Sequence, residues 1–107
     1  MAHQKDKKIV HQKIKDYISL LRQNGIDIWR AYLYGSYATN TFTNQSDIDL
    51  AIFLNKNDID GFQEDAEMMK LTRKVDLRIE PHSFAKMDFY EKDPFVEEII
   101  TKGVRIM

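Results

Sequence analysis

Two aspartates, Asp47 and Asp49, stand two residues apart in an apolar segment, DIDLAIFL. In a β-strand such positions point to the same side, so both carboxylates would share one face with Cα atoms about 6.6 Å apart. Ile48 and Leu50 would take the opposite, covered face. Carboxylate oxygens are ligands for Mg²⁺, which also keeps coordination positions open for phosphate. The pair therefore suggests a cation site on an open sheet face, although Asp-x-Asp alone is frequent on exposed strands without a metal.

A third acid, Asp76, lies in the alternating segment VDLRIE. The alternation predicts a strand over residues 75–80, which Pro81 ends because it cannot donate to the sheet ladder. On that strand Asp76 would face the same open side as the other two aspartates. Three clustered carboxylates repel one another, and bound Mg²⁺ would remove that repulsion.

Gly35-Ser36 follows the first predicted strand. Glycine lets backbone N–H groups approach a phosphate, and serine adds a hydroxyl donor. A helical turn beginning there would also favour an anion at its N-terminus. The dipeptide alone is more often an ordinary turn, but together with the three acids it predicts a nucleotide–Mg²⁺ site.

The spacing Gly35-Ser36, ten residues, then Asp47-Ile48-Asp49 resembles the Gly-Ser-x10-Asp-x-Asp signature of the nucleotidyltransferase superfamily that includes DNA polymerase β and kanamycin nucleotidyltransferase. The wider string GSYATNTFTNQSDIDLAIF is similar to the minimal nucleotidyltransferases (MNT), and DPFVEEII near the end continues the likeness over about residues 10–107. Asn40 stands where many members have glycine, and asparagine tolerates left-handed backbone better than most residues.

The resemblance implies transfer of a nucleoside monophosphate from a nucleoside triphosphate to a hydroxyl, with pyrophosphate leaving. It implies that Asp47 and Asp49 bridge two Mg²⁺ ions and that Asp76, at the position of the family's third acid, holds the ion that activates the hydroxyl. Two such ions would clamp the attacking and leaving oxygens. Gly35 and Ser36 would bind the β- and γ-phosphates of ATP.

Short members of this family are similar to the antitoxin halves of HEPN/MNT toxin–antitoxin modules. The implied partner is a HEPN ribonuclease toxin, whose tyrosine would receive AMP, in a hetero-oligomer of the two proteins. Two alternatives stay open: an antitoxin that neutralises its toxin by binding alone, and a small-molecule nucleotidyltransferase of the aminoglycoside-modifying type. Three intact acids favour catalysis over binding alone, and 107 residues leave little chain to form a drug pocket.

The elements that would position these residues follow from hydrophobic periodicity. An apolar stripe predicts a first helix over about residues 5–24, and further patterns predict strands at 28–34 and 47–54. A helix starting at an Asp60-to-Gln63 capping box would bury Phe62, Ala66 and Met69. His82 is expected in a loop. Asp93-Pro94 starts a helix that Gly103 closes, before a last short strand. This order predicts an α/β (α+β) fold, with a small mixed sheet, helices packed on one face, and the active site on the open face.

Composition sets the outer limits. The chain has 107 residues, 43% of them hydrophobic, which predicts a single domain over residues 1–107. It has no cysteine, so thiol nucleophiles, disulfides and Cys-ligated metals are excluded. A formal net charge of −1 argues against direct nucleic-acid binding. No apolar run approaches the roughly 18 residues of a membrane span, so we expect a soluble cytoplasmic protein.

Overall fold

The computed structural model describes the backbone of residues 3–107 and the side chains of residues 6–107, so the first residues of the predicted domain lie outside the described part. This part of the chain contains five helices and four strands. They are α1 (His3–Gln23), β1 (Ile28–Tyr34), α2 (Ser36–Thr39), β2 (Ile48–Leu54), α3 (Phe62–Thr72), β3 (Ile79–Phe84), α4 (Lys86–Tyr90), α5 (Pro94–Lys102) and β4 (Val104–Arg105). Across the described residues, every helix is too short or too polar to cross a membrane.

The four strands form one mixed sheet in the order β3-β2-β1-β4. β1 runs antiparallel to both β2 and β4, whereas β2 and β3 are parallel and are connected through α3. A parallel pair needs a long crossover, which this helix supplies. The mixed sheet with helices confirms the predicted fold class.

One face of the sheet packs against α1 and α3. Ile14, Tyr17 and Leu21 of α1 are fully buried and belong to one apolar cluster with Leu50 and Ile52 of β2. The Tyr17 hydroxyl donates a 2.6 Å hydrogen bond to the Met68 carbonyl of α3, which ties the two helices together. This is the helix-covered face that the alternation of β2 predicts.

The opposite face is not wholly open, which corrects the prediction of helices on one face only. Val96 and Ile99 of α5 are buried there against Tyr32, Ala51 and Phe53. The Phe89 ring of α4 also meets the Phe53 ring edge-on at 5.7 Å. The physical reason is in β2, where the side chains after Asp49 on that face are apolar and need covering. The end of the sheet that carries Asp49 combines polar groups from β2 and β3.

β3 begins later than predicted. It spans Ile79–Phe84 rather than residues 75–80, and Pro81 lies inside it. The strand is at the edge of the sheet, where a residue without an N–H is tolerated. Asp76 therefore precedes the strand, and His82 lies within it rather than in a loop.

The second long helix, α3, also differs from its predicted orientation. Met68 and Thr72 are its buried side chains, whereas Phe62 is 83% exposed and Met69 is 43% exposed. Its start is capped by Glu64, whose Oε1 accepts from the backbone N–H of Gly61 at 2.9 Å and of Asp60 at 3.1 Å. The capping box is formed by Gly61 and Glu64, one residue later than the predicted Asp60 and Gln63.

Candidate functional site

Asp49 is the central acid of the polar end of the sheet. It lies in β2 between the fully buried Ile48 and Leu50, so the alternation of the strand directs its side chain to the other face. Tyr34 of β1 pairs with it on one side, and Glu80 of β3 pairs with it on the other. Asp47 is exposed and immediately precedes β2. The structure therefore places both predicted aspartates at the start of the acid-bearing strand.

Glu80 and His82 are site residues that the sequence reasoning missed. Each of Asp49, Glu80 and His82 offers one ligand atom, and these atoms all lie within 4.8 Å of one another. Glu80 and His82 share a face because they are two residues apart in β3. The alternation places Glu80 in the predicted strand on the same face as Asp76, but the resemblance gives the role of third acid to Asp76. His82 lies beyond Pro81, where the predicted strand ends.

Asp76 is not brought to this cluster, which corrects its predicted place on the open face. Its carboxylate accepts from Arg78 Nη2 at 2.8 Å and from Lys13 Nζ of α1 at 3.0 Å, and its side chain is 8% exposed. Hydrogen bonds from Arg78 are the largest cause of a pKa for Asp76 far below the usual range. A carboxylate compensated by two cations already has partners for its charge.

Asp49 is in the opposite electrostatic situation. Burial is the largest cause that raises the pKa of its carboxyl, and the charges of Asp47 and Glu80 raise it further. The same acids act on Tyr34, whose phenol pKa is raised by burial first and then by Asp49 and Glu80. A divalent cation would relieve this repulsion, and two carboxylates with an imidazole are donors that such ions accept. The group of Asp49, Glu80 and His82 therefore fits a metal site.

The Gly35-Ser36 turn lies directly against Asp49. Gly35 has φ of +75°, which glycine adopts without steric cost, and a Cβ added to it would collide with the Asp49 carboxylate. Ser36 is the first residue of α2, and the Ala38 N–H donates back to the Gly35 carbonyl at 3.1 Å. At the other end of α2, Asn40 has left-handed backbone with φ of +61°. Asparagine is thus compatible with the position where many MNT proteins have glycine.

A cavity of about 260 Å³ opens beside this turn. Gly35, Ala38 and Thr39 form one wall, and Phe95 and Ile99 of α5 form the other. Half-buried Tyr34 joins the cavity to the acid cluster, since its ring meets the Phe95 ring at 5.8 Å and the His82 ring at 6.3 Å. The acids, the turn and the cavity therefore form one continuous surface at the end of β1 and the start of β2.

Solved structures share this fold. A protein from Sulfolobus solfataricus described as a nucleotidyltransferase superimposes with a TM-score of 0.60 at 12% identity, covering 97% of this chain and 81% of that one. A toxin–antitoxin solved with AMP-PNP gives a TM-score of 0.63 at 24% identity, covering 91% and 72%. A mutant of the toxin–antitoxin MntA–HpeT gives 0.57 at 24% identity, covering 85% and 68%.

Sequence comparison gives the family. No curated protein is similar enough to this chain to count as a relative. The family described as polymerase beta, nucleotidyltransferase matches residues 12–107, which include the turn, all the acids named above and α5. The chain therefore belongs to the polymerase β-type nucleotidyltransferase family.

Proposed function

We propose that this protein transfers AMP from ATP to a hydroxyl group, in an Mg²⁺-dependent reaction, and that the hydroxyl belongs to a tyrosine of a partner HEPN-type ribonuclease toxin. The observation that carries the proposal is the close approach of the Gly35 turn to Asp49, beside Glu80. It brings a phosphate-binding type of turn and a carboxylate cluster to one place. Membership of a nucleotidyltransferase family supports the reaction class.

Each residue has a role in this proposal. Asp47, Asp49 and Glu80 would hold two Mg²⁺ ions, with Glu80 taking the part that the resemblance gave to Asp76. Bound Mg²⁺ supplies charge stabilisation for the transferred phosphoryl group. The backbone N–H groups of the Gly35-Ser36 turn and the Ser36 hydroxyl bind the β- and γ-phosphates, and the adjacent cavity leaves room for the rest of the nucleotide.

The bond changes are those of in-line displacement. The acceptor oxygen forms a bond to the α-phosphorus, the bond from the α-phosphorus to the bridging oxygen of the β-phosphate breaks, and pyrophosphate leaves. The hydroxyl proton passes to a carboxylate oxygen of Glu80. This chain contains no cysteine, and transfer without a covalent enzyme intermediate is the simplest route.

The proposed partner rests on two structural neighbours that are toxin–antitoxin proteins, one of them solved with AMP-PNP. At 24% identity they show the fold, and the nucleotide and partner are carried over as proposals. A protein partner also agrees with the surface position of the site, since Asp47 is exposed at its edge. The complex would be a hetero-oligomer of antitoxin and toxin.

The test uses this chain together with the proposed HEPN-type partner, for which the product of an adjacent reading frame is the first protein to try. ATP labelled in its α-phosphate is added with Mg²⁺, and a parallel reaction contains ATP labelled in its γ-phosphate. We expect label in the partner from the α-phosphate only, on a tyrosine identified by peptide mass, and none with Asp49→Asn. Neutralisation of the partner without added mass would establish a binding antitoxin instead, and label from the γ-phosphate would contradict nucleotidyl transfer.

A further inference from the structure

Arg78 connects segments of the chain that lie on both sides of the proposed active site. Its Nε and Nη2 donate to the two oxygens of Asp76, at 3.1 and 2.8 Å. Its Nη1 donates to the Tyr37 hydroxyl at 3.0 Å and to the Asn44 carbonyl at 3.1 Å. The planar guanidinium is suited to this arrangement because its donors are fixed in one plane.

The hydrogen bond to Tyr37 links Arg78 to the residue that directly follows the Gly35-Ser36 turn. Tyr37 follows Ser36, is 1% exposed, and stacks on the Phe42 ring at 4.3 Å with an interplanar angle of 12°. Its hydroxyl accepts from Arg78 and donates to the Thr43 carbonyl at 3.3 Å. The ring and hydroxyl of Tyr37 thus join α2 to the loop that follows it.

That loop ends at Ser46, directly before Asp47 and the strand that carries Asp49. The Thr43 N–H donates to Ser46 Oγ at 2.8 Å, and the Ser46 N–H donates to the Thr43 carbonyl at 3.1 Å, one residue before Asp47. The Ile48 N–H, between the two aspartates, donates to the Arg78 carbonyl at 2.8 Å. Arg78 therefore contacts Tyr37 of α2, Asn44 of the loop and Ile48 of β2.

We infer that Arg78 is a positioning residue that sets the Gly35-Ser36 turn and Asp47 in register with each other. The inference rests on the proposed function for its effect on transfer. Asp76 anchors the guanidinium, so Asp76 acts through Arg78 rather than on the substrate. Lys13 pairs with Asp76 and not with Arg78. Because a misplacement of about 1 Å can cost on the order of a hundredfold in rate, holding both halves of the site together has catalytic consequences.

Lys13 offers a matched control. Lys13→Met and Arg78→Met each remove one cation from Asp76, but only Arg78→Met cuts the connection to Tyr37 and Asn44. At a temperature where both variants are folded, we expect kcat to stay within about twofold for Lys13→Met and to fall about tenfold or more for Arg78→Met at saturating ATP and Mg²⁺. Tyr37→Phe, which keeps the ring stack and the Arg78–Asp76 pair, should give an intermediate loss.

Amide hydrogen exchange provides a readout that needs no partner and no activity. In Arg78→Met and Tyr37→Phe, the amides of Thr43 and Ser46 should exchange faster than in the wild type, and in Lys13→Met they should not. Equal exchange and equal kcat in Arg78→Met and Lys13→Met would overturn the inference and leave Arg78 a purely structural ion pair. Absence of transfer in the wild type would count against the proposed function, while the exchange data would still decide the role of Arg78.

Discussion

At the residue scale, Asp49 is held under conditions that disfavour its charge. Burial and the neighbouring Asp47 and Glu80 raise its pKa, with only His82 acting in the other direction. A folded-state pKa above the unfolded value of about 3.9 means that ionisation costs stability as pH rises. The site therefore gives up some stability at neutral pH in the absence of a cation.

The first prediction follows from this cost. Asp49→Asn should leave the melting temperature at pH 7 without metal unchanged or slightly higher, because the substitution removes a repelled charge. Transfer should fall by at least about a hundredfold, since a group that stabilises charge in the site is lost. Metal-free thermal unfolding and the labelled-ATP assay measure the two effects. A large fall in metal-free stability would instead mean that Asp49 is structural.

Asp76 gives the opposite pH dependence. Its folded-state pKa is lowered by Arg78 and Lys13, so it contributes stability above the unfolded pKa of about 3.9, and this contribution is lost as pH falls towards the folded pKa. Asp76→Asn should cost about 2 kcal/mol at pH 7, the range for hydrogen bonds to charged groups. Urea unfolding at pH 7 and below pH 4 measures the difference, which should narrow in acid. Asp58→Asn, at an exposed aspartate, is the control for loss of one charge and should leave the free energy of unfolding at pH 7 unchanged.

At the element scale, the turn between β1 and α2 joins the two halves of the site. Gly35 needs glycine twice, once for its positive φ and once because the Asp49 carboxylate occupies the space of a Cβ. Gly25 also has positive φ, at +83°, but a Cβ there would meet nothing within 4 Å. A comparison of substitutions at the two glycines therefore distinguishes backbone strain from collision with Asp49.

The third prediction uses this pair. Gly25→Ala should lower the free energy of unfolding by about 1–2 kcal/mol because of its positive φ. Gly35→Ala should lower it by at least as much, because a φ of +75° with a ψ of −152° is adopted almost only by glycine. Only Gly35→Ala should also weaken metal binding, because Asp49 has to move away from the new methyl group. Denaturant unfolding measures the free energy of unfolding, and Mn²⁺ titration followed by electron paramagnetic resonance measures the metal affinity. Equal Mn²⁺ affinity in both variants would show that the turn and Asp49 are independent.

The same scale shows what the sequence could predict. The bounds of β1 were predicted, and the predicted start of α5 is confirmed by the Asp93 side chain, which accepts from the Val96 N–H at 2.8 Å. These elements carry strong local signals: dense aromatic and branched residues, or a cap followed by proline. β3 was misplaced because its position depends on pairing with β2, where Ile48 lies opposite Ile79, and no local pattern contains that information. His82 is missed because the predicted strand ends at Pro81, and Glu80 is missed because only the pairing of β3 with β2 shows that it lies beside Asp49.

At the scale of the whole molecule, nucleotide binding should be measurable as stability. ATP with Mg²⁺ at about 100 times its dissociation constant should stabilise the fold by about 2.7 kcal/mol. For a domain of this size, the expected rise in melting temperature is on the order of 10 °C. Asp49→Asn should show little of it. A wild type that shows no shift, even with the partner present, would contradict a working nucleotide site.

The family could be predicted from the whole chain, because the Gly-Ser and Asp-x-Asp motifs have a fixed separation and the family match extends over residues 12–107. The packing of α4 and α5 on the second face of the sheet could not be predicted, because it depends on how these helices cross the sheet in three dimensions. That packing also narrows the open region to the end of the sheet with Asp49 and Glu80. The central claim of the proposed function is that Glu80, together with Asp47 and Asp49, would hold the metal, and that Asp76 would not.

Mn²⁺ binding in the presence of ATP tests that claim most directly. Electron paramagnetic resonance compares the Mn²⁺ affinity of the wild type, Glu80→Gln and Glu97→Gln. Glu97→Gln removes the same charge at an exposed residue of α5. We predict at least about a tenfold loss of Mn²⁺ affinity for Glu80→Gln, from removal of a charged oxygen ligand, and no change for Glu97→Gln. Wild-type affinity in Glu80→Gln would contradict the account and return the role of third acid to another residue.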